Sequence, residues 1–245
     1  MSAIDFYFSN LNAILTRTLE TQKDGMEAAS RKIADCMREG GMVYTFGTGH
    51  GHLLALEIFY RAGGMACLCP ILDEKLMLHI SAAGSTLEER DEGWVDKLME
   101  KYPIKAGDVL IDMSNSGRNA VPVLLAMEAR KRGAYVIALT SMQHTQAVTS
   151  RNSLNLRLFE VADLVLDNGG VLGDASYQAA DGSMVGATST AVGAAMLQSI
   201  VCRVKELSVE EGFAADFFKS SNVDGGDEWN DRLIARYETI IPGLN

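Results

Sequence analysis

The 245-residue chain is poor in residues that stiffen or cross-link a protein, with four prolines and four cysteines. Cys36, Cys67, Cys69 and Cys202 form no C-x-x-C pair and fall in apolar segments, so buried free thiols are expected rather than disulfides. The prolines are scattered, and no Gly/Ser run, long charge block or internal repeat interrupts the chain. Nothing reads as a linker, and one domain over residues 1–245 is expected. No apolar run is long and charge-free enough to span a bilayer, and Met1–Asn10 lacks the basic start and apolar stretch of a signal peptide. A cytoplasmic protein with no membrane partner is the expectation. Basic charge is also in deficit, 22 Lys and Arg against 32 Asp and Glu for a formal −10. Nucleic acid, which needs a basic face, is therefore not an expected partner. An anionic ligand would have to be held locally, by loops and helix ends.

What the chain does have is 47% hydrophobic residues, arranged in alternating periods. Ile4, Phe8, Leu11, Ile14, Leu15 and Leu19 recur at helical spacing, and Met26–Arg38 resumes it after Lys23-Asp24-Gly25. Two helices are predicted before any strand. Short apolar runs at Met42–Phe46, Met65–Cys69, Val109–Met113, Ala134–Leu139 and Ala162–Leu166 read as strands. Leu53–Ala62, Trp94–Lys101, Val121–Arg132, Thr190–Leu207 and Trp229–Ile240 read as helices, and Asp73–Arg90 as irregular. Such alternation predicts an α/β fold, a doubly wound parallel sheet covered on both faces. Residues 1–39 supply N-terminal helices, 40–207 the α/β core and 208–245 a helical tail.

Ligands of such sheets bind beyond the carboxyl ends of the strands. Two loops at such ends are rich in phosphate-holding chemistry. Gly47-Thr48-Gly49-His50-Gly51 permits close backbone approach before a helix, and Ser114-Asn115-Ser116-Gly117-Arg118-Asn119 offers hydroxyls and amides before another. Both are also adequate helix caps and tight turns. A dinucleotide loop is the rival reading, with Asp73 as ribose carboxylate, but its third glycine position holds His52, and no Lys-Ser/Thr pair marks a nucleotide triphosphate loop.

With Leu56–Gly64 behind the first loop, these residues resemble the sugar isomerase (SIS) domain. Glu89–Gly93, Gly186-Ala187-Thr188-Ser189-Thr190 and Ser220–Glu228 are similar to its UPF0309 group of phosphosugar-isomerase-like proteins. The resemblance implies a flavodoxin-like three-layer sandwich, a homodimer or higher homo-oligomer, a phosphosugar site completed between subunits, and no cofactor. It places phosphate on Ser114, Asn115, Ser116, Gly117 and Asn119 with Gly47, Thr48 and Gly49 behind, brings Ser189 to the sugar, and brings Asn222 and Asp227 to the sugar or to a neighbouring subunit. Relatives often carry Ser where this chain has Gly51 and Ser or Thr where it has Asn119. The implied activities are aldose–ketose isomerisation through an enediol, sugar-phosphate lysis or ether cleavage, and sensing without catalysis.

Isomerisation needs groups that shuttle protons beside a carbonyl. Glu57, about two turns into the helix after the first loop, is the favoured base, against a plain i, i+4 pair with Arg61. His50 and His52 at the loop can serve as acid, base or ligand. No further ligands at metal spacing accompany them, so no metal is expected. His79 and Glu89 fall in the irregular stretch, where loops carry function. His144 follows another strand end, where a capping or surface role is the simpler reading.

Overall fold

The computed structural model describes residues 1–245. A helix α1, Ala3–Arg38, precedes strand β1, Val43–Phe46, helix α2, Gly51–Glu57, strand β2, Leu68–Pro70, and helices α3, Ala82–Glu88, and α4, Trp94–Lys101. Strand β3, Val109–Met113, helix α5, Ala120–Lys131, and strand β4, Tyr135–Thr140, follow. After the short helices α6, Met142–Gln146, and α7, Leu158–Val161, come strand β5, Leu164–Asp167, and the hairpin strands β6, Ala175–Gln178, and β7, Met184–Ala187. The long helix α8, Ser189–Glu210, and helix α9, Gly226–Tyr237, complete the chain.

The five main strands lie in the order β2-β1-β3-β4-β5, all parallel. The strand order runs one way from β1 to β2 and the other way from β2 through β3 to β5. Right-handed crossovers then place α2 on one face and α4, α5 and α7 on the other, and α1 and α8 pack together on the α2 side. This is the predicted doubly wound sandwich, and the reversal between β1 and β3 parts the chain where ligands settle in such sheets.

Five expectations require correction. Lys23-Asp24-Gly25 does not divide two helices: α1 runs unbroken for 36 residues from a capping box of Ser2 and Asp5. A Cβ on Gly25 would sit 3.0 Å from Leu166, so this glycine lets α1 lie close on β5. Packing outweighs its poor helix propensity, about 1 kcal/mol relative to alanine. The helix after the first loop ends at Glu57 rather than Ala62, because Tyr60 (φ 40°) and Gly63 (φ 80°) turn the chain left-handed. Of the second apolar run only Leu68 and Cys69 join the sheet, together with Pro70, while Met65 bridges antiparallel to Phe217 in the tail. Finally, Cys36, Cys67 and Cys69 are buried, with burial raising their thiols to about 12, but Cys202 is exposed on α8. Asp73–Arg90 is also more ordered than expected, holding a short 3-10 turn at Glu74–Leu76 and all of α3.

The main core includes buried residues from α1, every strand of the main sheet, α8 and the tail, where Phe218, Leu233, Ile241 and Leu244 join it. No helix is long and apolar enough to cross a membrane.

Candidate active site

The two loops singled out in the sequence leave the carboxyl ends of β1 and β3, which are adjacent, and meet in one cleft of about 270 Å³. Its walls carry Thr48, Gly49, His50 and Gly51 from the first loop and Ser114, Asn115, Ser116 and Asn119 from the second. Ser85, Thr86 and Glu89 of α3 and its end, and His144 of α6, complete the lining. A narrow extension of about 50 Å³ runs from His50 and Asn115 to Asn168, Ser189 and Thr190.

Gly51 is there because no side chain fits. A Cβ at 51 would lie 2.6 Å from the Met113 carbonyl oxygen, and one at Gly47 would lie 2.6 Å from the Gly51 carbonyl carbon. The two glycines let the first loop close onto the end of β3, and a serine hydroxyl at 51 has no room. Phosphate-holding capacity falls instead to backbone. The amides of Thr48, His50, Asn115 and Ser116 donate to no protein acceptor, whereas neighbours do: Gly49 to Leu76 (3.1 Å), Gly51 to Thr48 (2.9 Å) and Ser114 to Leu139 (3.1 Å). Unpaired N–H groups from two loops are suited to a tetrahedral oxyanion.

The second loop is held rigidly from behind. The Asn115 carbonyl accepts from the Ser141 amide (3.1 Å) and the Thr140 hydroxyl (3.2 Å). Asn168 donates through Nδ2 to Asn115 Oδ1 (3.0 Å) and receives the Gly170 amide (2.9 Å). With its oxygen taken, the Asn115 side chain turns its NH₂ group to other partners. The Ser114 hydroxyl accepts from Gly117 N–H (3.2 Å), at a residue with φ 55°. Ser116 forms no hydrogen bond within the protein and keeps its hydroxyl free.

Glu89 is the principal ionisable group of the cleft. Thr48 Oγ1 donates to one carboxylate oxygen (2.5 Å) and Asn119 Nδ2 to the other (2.7 Å). Burial pushes its pKa above the ordinary value, against the Thr48 hydrogen bond and the fields of Arg90 and Arg151. Asn119 thus serves two purposes: it opens α5 and orients Glu89, and its buried Oδ1 has no partner. His144 has a lowered pKa, chiefly from burial, and a buried, unpartnered Nδ1, so a neutral imidazole lines the cleft.

The other candidates lie elsewhere. His52 is buried on α2 with its pKa pushed down to about 4 by desolvation, Nδ1 3.3 Å from the Gly49 carbonyl and Nε2 without a partner. His79 is exposed in the turn beside it, close enough for its charge to act on His52. Glu57 pairs with Arg61 and accepts from Gln198 Nε2 (3.0 Å), outside the cleft lining. Arg61 also borders a separate hollow of about 210 Å³ with Tyr60, Lys219 and Asn222, so Glu57 and Asn222 share an edge region distinct from the cleft. Asp227 sits in the first turn of α9. Ser189 reaches the narrow extension, its hydroxyl donating to Asp174 (2.5 Å).

Sequence reasoning passed over Ser85, Thr86 and Asn168 and undervalued His144. Ser81, a cap accepting from Gly84 (3.0 Å), followed by Ser85 and Glu89 at i, i+4 spacing, was the available signal for the first two. Two larger hollows, of about 350 and 450 Å³, open at the amino ends of the strands. Within their walls Arg236 pairs with Asp216 (2.6 Å) and Arg130 with Asp163 (2.8 Å), and neither hollow includes a residue of the two glycine- and serine-rich loops.

Comparison with known proteins agrees with this architecture. The SIS domain matches residues 6–141. A UPF0309 protein of Halalkalibacterium halodurans is 42% identical over 237 residues, covering 96% of this chain and 98% of the relative. A UPF0309 protein of Listeria innocua is 40% identical over 245 residues, 99% of each chain. Among solved structures, phosphoheptose isomerase from Neisseria gonorrhoeae superimposes with a TM-score of 0.58 at 14% identity, covering 83% of this chain and 97% of that one. The Vibrio vulnificus NanR protein complexed with ManNAc-6P gives 0.52 at 17% identity, covering 98% and 69%. At such identities the structures share the fold, while the sequence relatives fix the lineage: this chain belongs to the SIS-domain family, among its UPF0309 proteins.

Proposed function

We propose that the cleft binds a phosphorylated sugar and interconverts its aldose and ketose forms through an enediol. The observation that carries this reading is the joining, in one cleft, of four unpaired loop amides with a carboxylate whose pKa burial has raised. Phosphate takes the amides of Thr48, His50, Asn115 and Ser116 together with the Ser116 hydroxyl and the Asn115 NH₂. This anchors the sugar so that its carbonyl end extends toward Glu89, and anchoring by a remote group is binding energy available for orientation. Glu89, as a desolvated carboxylate, is a stronger base than an exposed one and removes the proton next to the carbonyl, returning it to the neighbouring carbon. Neutral His144, with His50 at the other side of the lining, moves the proton between the two oxygens. The phosphoheptose isomerase fold match supports the isomerase reading, and the NanR–ManNAc-6P match supports phosphosugar binding.

Glu57 enters as a base only if its edge region faces the cleft of a second subunit, since within its own subunit it lies outside the lining. A homodimer sharing its sites is part of the same proposal.

Incubation with pentose, hexose, heptose and hexosamine phosphates in deuterated water tests the reading. Isomerisation requires solvent deuterium at the carbon beside the carbonyl of one of them. Saturable binding without exchange makes the protein a sensor, and release of a second product makes it a lyase or etherase.

A further inference from the structure

On so acidic a chain, arginines should find counter-charges, and most do. Of the thirteen, eight are ion-paired. Arg17 donates to the Gly169 carbonyl (3.2 Å), and Arg232 lies over the Trp229 ring at 4.8 Å. The remaining three, Arg90, Arg118 and Arg151, have no carboxylate at ion-pair distance, and their guanidinium groups make one hydrogen bond among them, Arg118 Nη2 to Thr149 Oγ1 (3.1 Å).

These three gather at one rim of the cleft. Arg118 is part of the second loop, and its carbonyl accepts the Arg151 amide (2.8 Å). Arg90 follows Glu89, whose carboxylate holds Asn119, the next residue after Arg118. The groups feel one another: burial, then Arg151 and Arg90, lower the pKa of Arg118, whose buried Nε is without a partner. Nearby acids are otherwise engaged. Asp91 accepts the Gly93 amide (2.9 Å), Glu92 takes the Ser153 amide and hydroxyl (2.7 and 2.9 Å), and Glu89 is occupied inside the cleft by Thr48 and Asn119.

Like charges held together unpaired oppose folding and attract anions, and guanidinium groups match the planar and tetrahedral oxygens of carboxylates and phosphates. None of the three lines the cleft where the first phosphate is placed. Building on the phosphosugar reading above, we propose that the substrate carries a second anionic group, a carboxylate or a second phosphate, which Arg90, Arg118 and Arg151 bind at the rim.

Calorimetric titration of the full-length protein with a hexose 6-phosphate, an aldonic acid 6-phosphate and a hexose 1,6-bisphosphate tests this. One of the two doubly anionic ligands is expected to bind about tenfold or more tighter than the hexose 6-phosphate at low salt, by charge-assisted hydrogen bonding. Whichever gains identifies the second anion. In a folded R90Q/R151Q variant that ratio is expected to fall to near one. Equal affinities for all three ligands, or an undiminished ratio in the variant, overturn the second anion site while hexose 6-phosphate binding that weakens in S116A leaves the first phosphate site standing. If none of the three binds, the same comparison is run with the sugar phosphate that the exchange panel selects and its doubly anionic counterpart, and failure of that whole panel to bind removes the phosphosugar reading and the rim site with it.

Discussion

Two regions of this molecule each offer a glutamate at the end of a short helix, and the protein treats them oppositely. At the edge, Glu57 closes α2 with its carboxylate on Arg61 one turn later and on Gln198, and both members of the pair are substantially exposed, at 46% and 32% for Arg61 and Glu57. In the cleft, Glu89 follows α3 with no ion-pair partner, held by the neutral donors Thr48 and Asn119 and pushed toward protonation by burial. Arg61 and Gln198 engage the Glu57 carboxylate outside the cleft. Neutral donors fix the orientation of Glu89, and burial outweighs their pull and keeps its pKa raised. The largest effect expected from this contrast is on catalysis: E89Q should lower deuterium exchange by about 10²–10⁴-fold, the range of general-base contributions, with phosphate-ester affinity largely kept. The acid limb of the wild-type pH profile should lie above the usual carboxylate range, because burial raises the Glu89 pKa and the base works only once ionised. A full-rate E89Q enzyme would remove Glu89 as the base.

The second effect separates the hydroxyls of the phosphate loop. Ser116 is free of protein partners, so S116A should cost roughly 1.5–3 kcal/mol of phosphate-ester binding, the worth of a hydrogen bond to a charged group, with no loss of stability. Ser114 already caps its own turn through Gly117, so S114A should weaken the fold as well as the affinity. Isothermal titration and thermal melts on both variants distinguish the two roles, and a destabilised S116A would show that its hydroxyl is structural.

A third prediction extends the cleft side of the contrast to its limit. Asp112 on β3, two residues before Ser114, is fully buried with both carboxylate oxygens unpartnered, and burial alone raises its pKa well above 3.8. A raised native pKa means that the folded state holds the proton more tightly than the unfolded chain. The contribution is fully present below 3.8 and is lost as pH climbs toward the native value. Urea unfolding should therefore show wild type losing stability relative to D112N by about 1.4 kcal/mol per pH unit over that interval. Parallel pH profiles for the two proteins would mean that Asp112 has a hydrogen-bond partner that keeps it ionised.

The main sheet was legible in the sequence because each of its strands lies at a short apolar run ending in a turn, although tail packing draws Met65 out of the second run. Both loops of the cleft were legible for the same reason: they stand where the apolar runs stop. What was not legible depends on contacts between distant segments. Gly25 reads as a helix break until Leu166 is seen against it. Gly51 reads as a lost hydroxyl until the Met113 carbonyl is seen where a side chain would be. Glu89 reads as one loop candidate among several and His144 as a capping or surface residue, because nothing local reveals that α3 and α6 fold over the same cleft. The hairpin of β6 and β7, exposed and half polar, has no buried face to impose an alternation.

The smallest effect is expected at the edge. Exposed i, i+4 pairs are worth about 0.3–0.5 kcal/mol, so E57Q, which can keep the contact with Gln198 while losing the attraction to Arg61, should shift the melting temperature by roughly 1–2 °C in a chain of this size. Exchange should be nearly unchanged if each cleft works with the residues of its own subunit. A collapse of exchange in E57Q with the fold intact would mean that the edge of one subunit completes the cleft of another. Mixing the two inactive variants then decides the matter. A dimer formed from one E57Q and one E89Q subunit pairs the intact Glu57 of one with the intact Glu89 of the other at a single cleft, so mixing restores part of the activity if the site is shared between subunits.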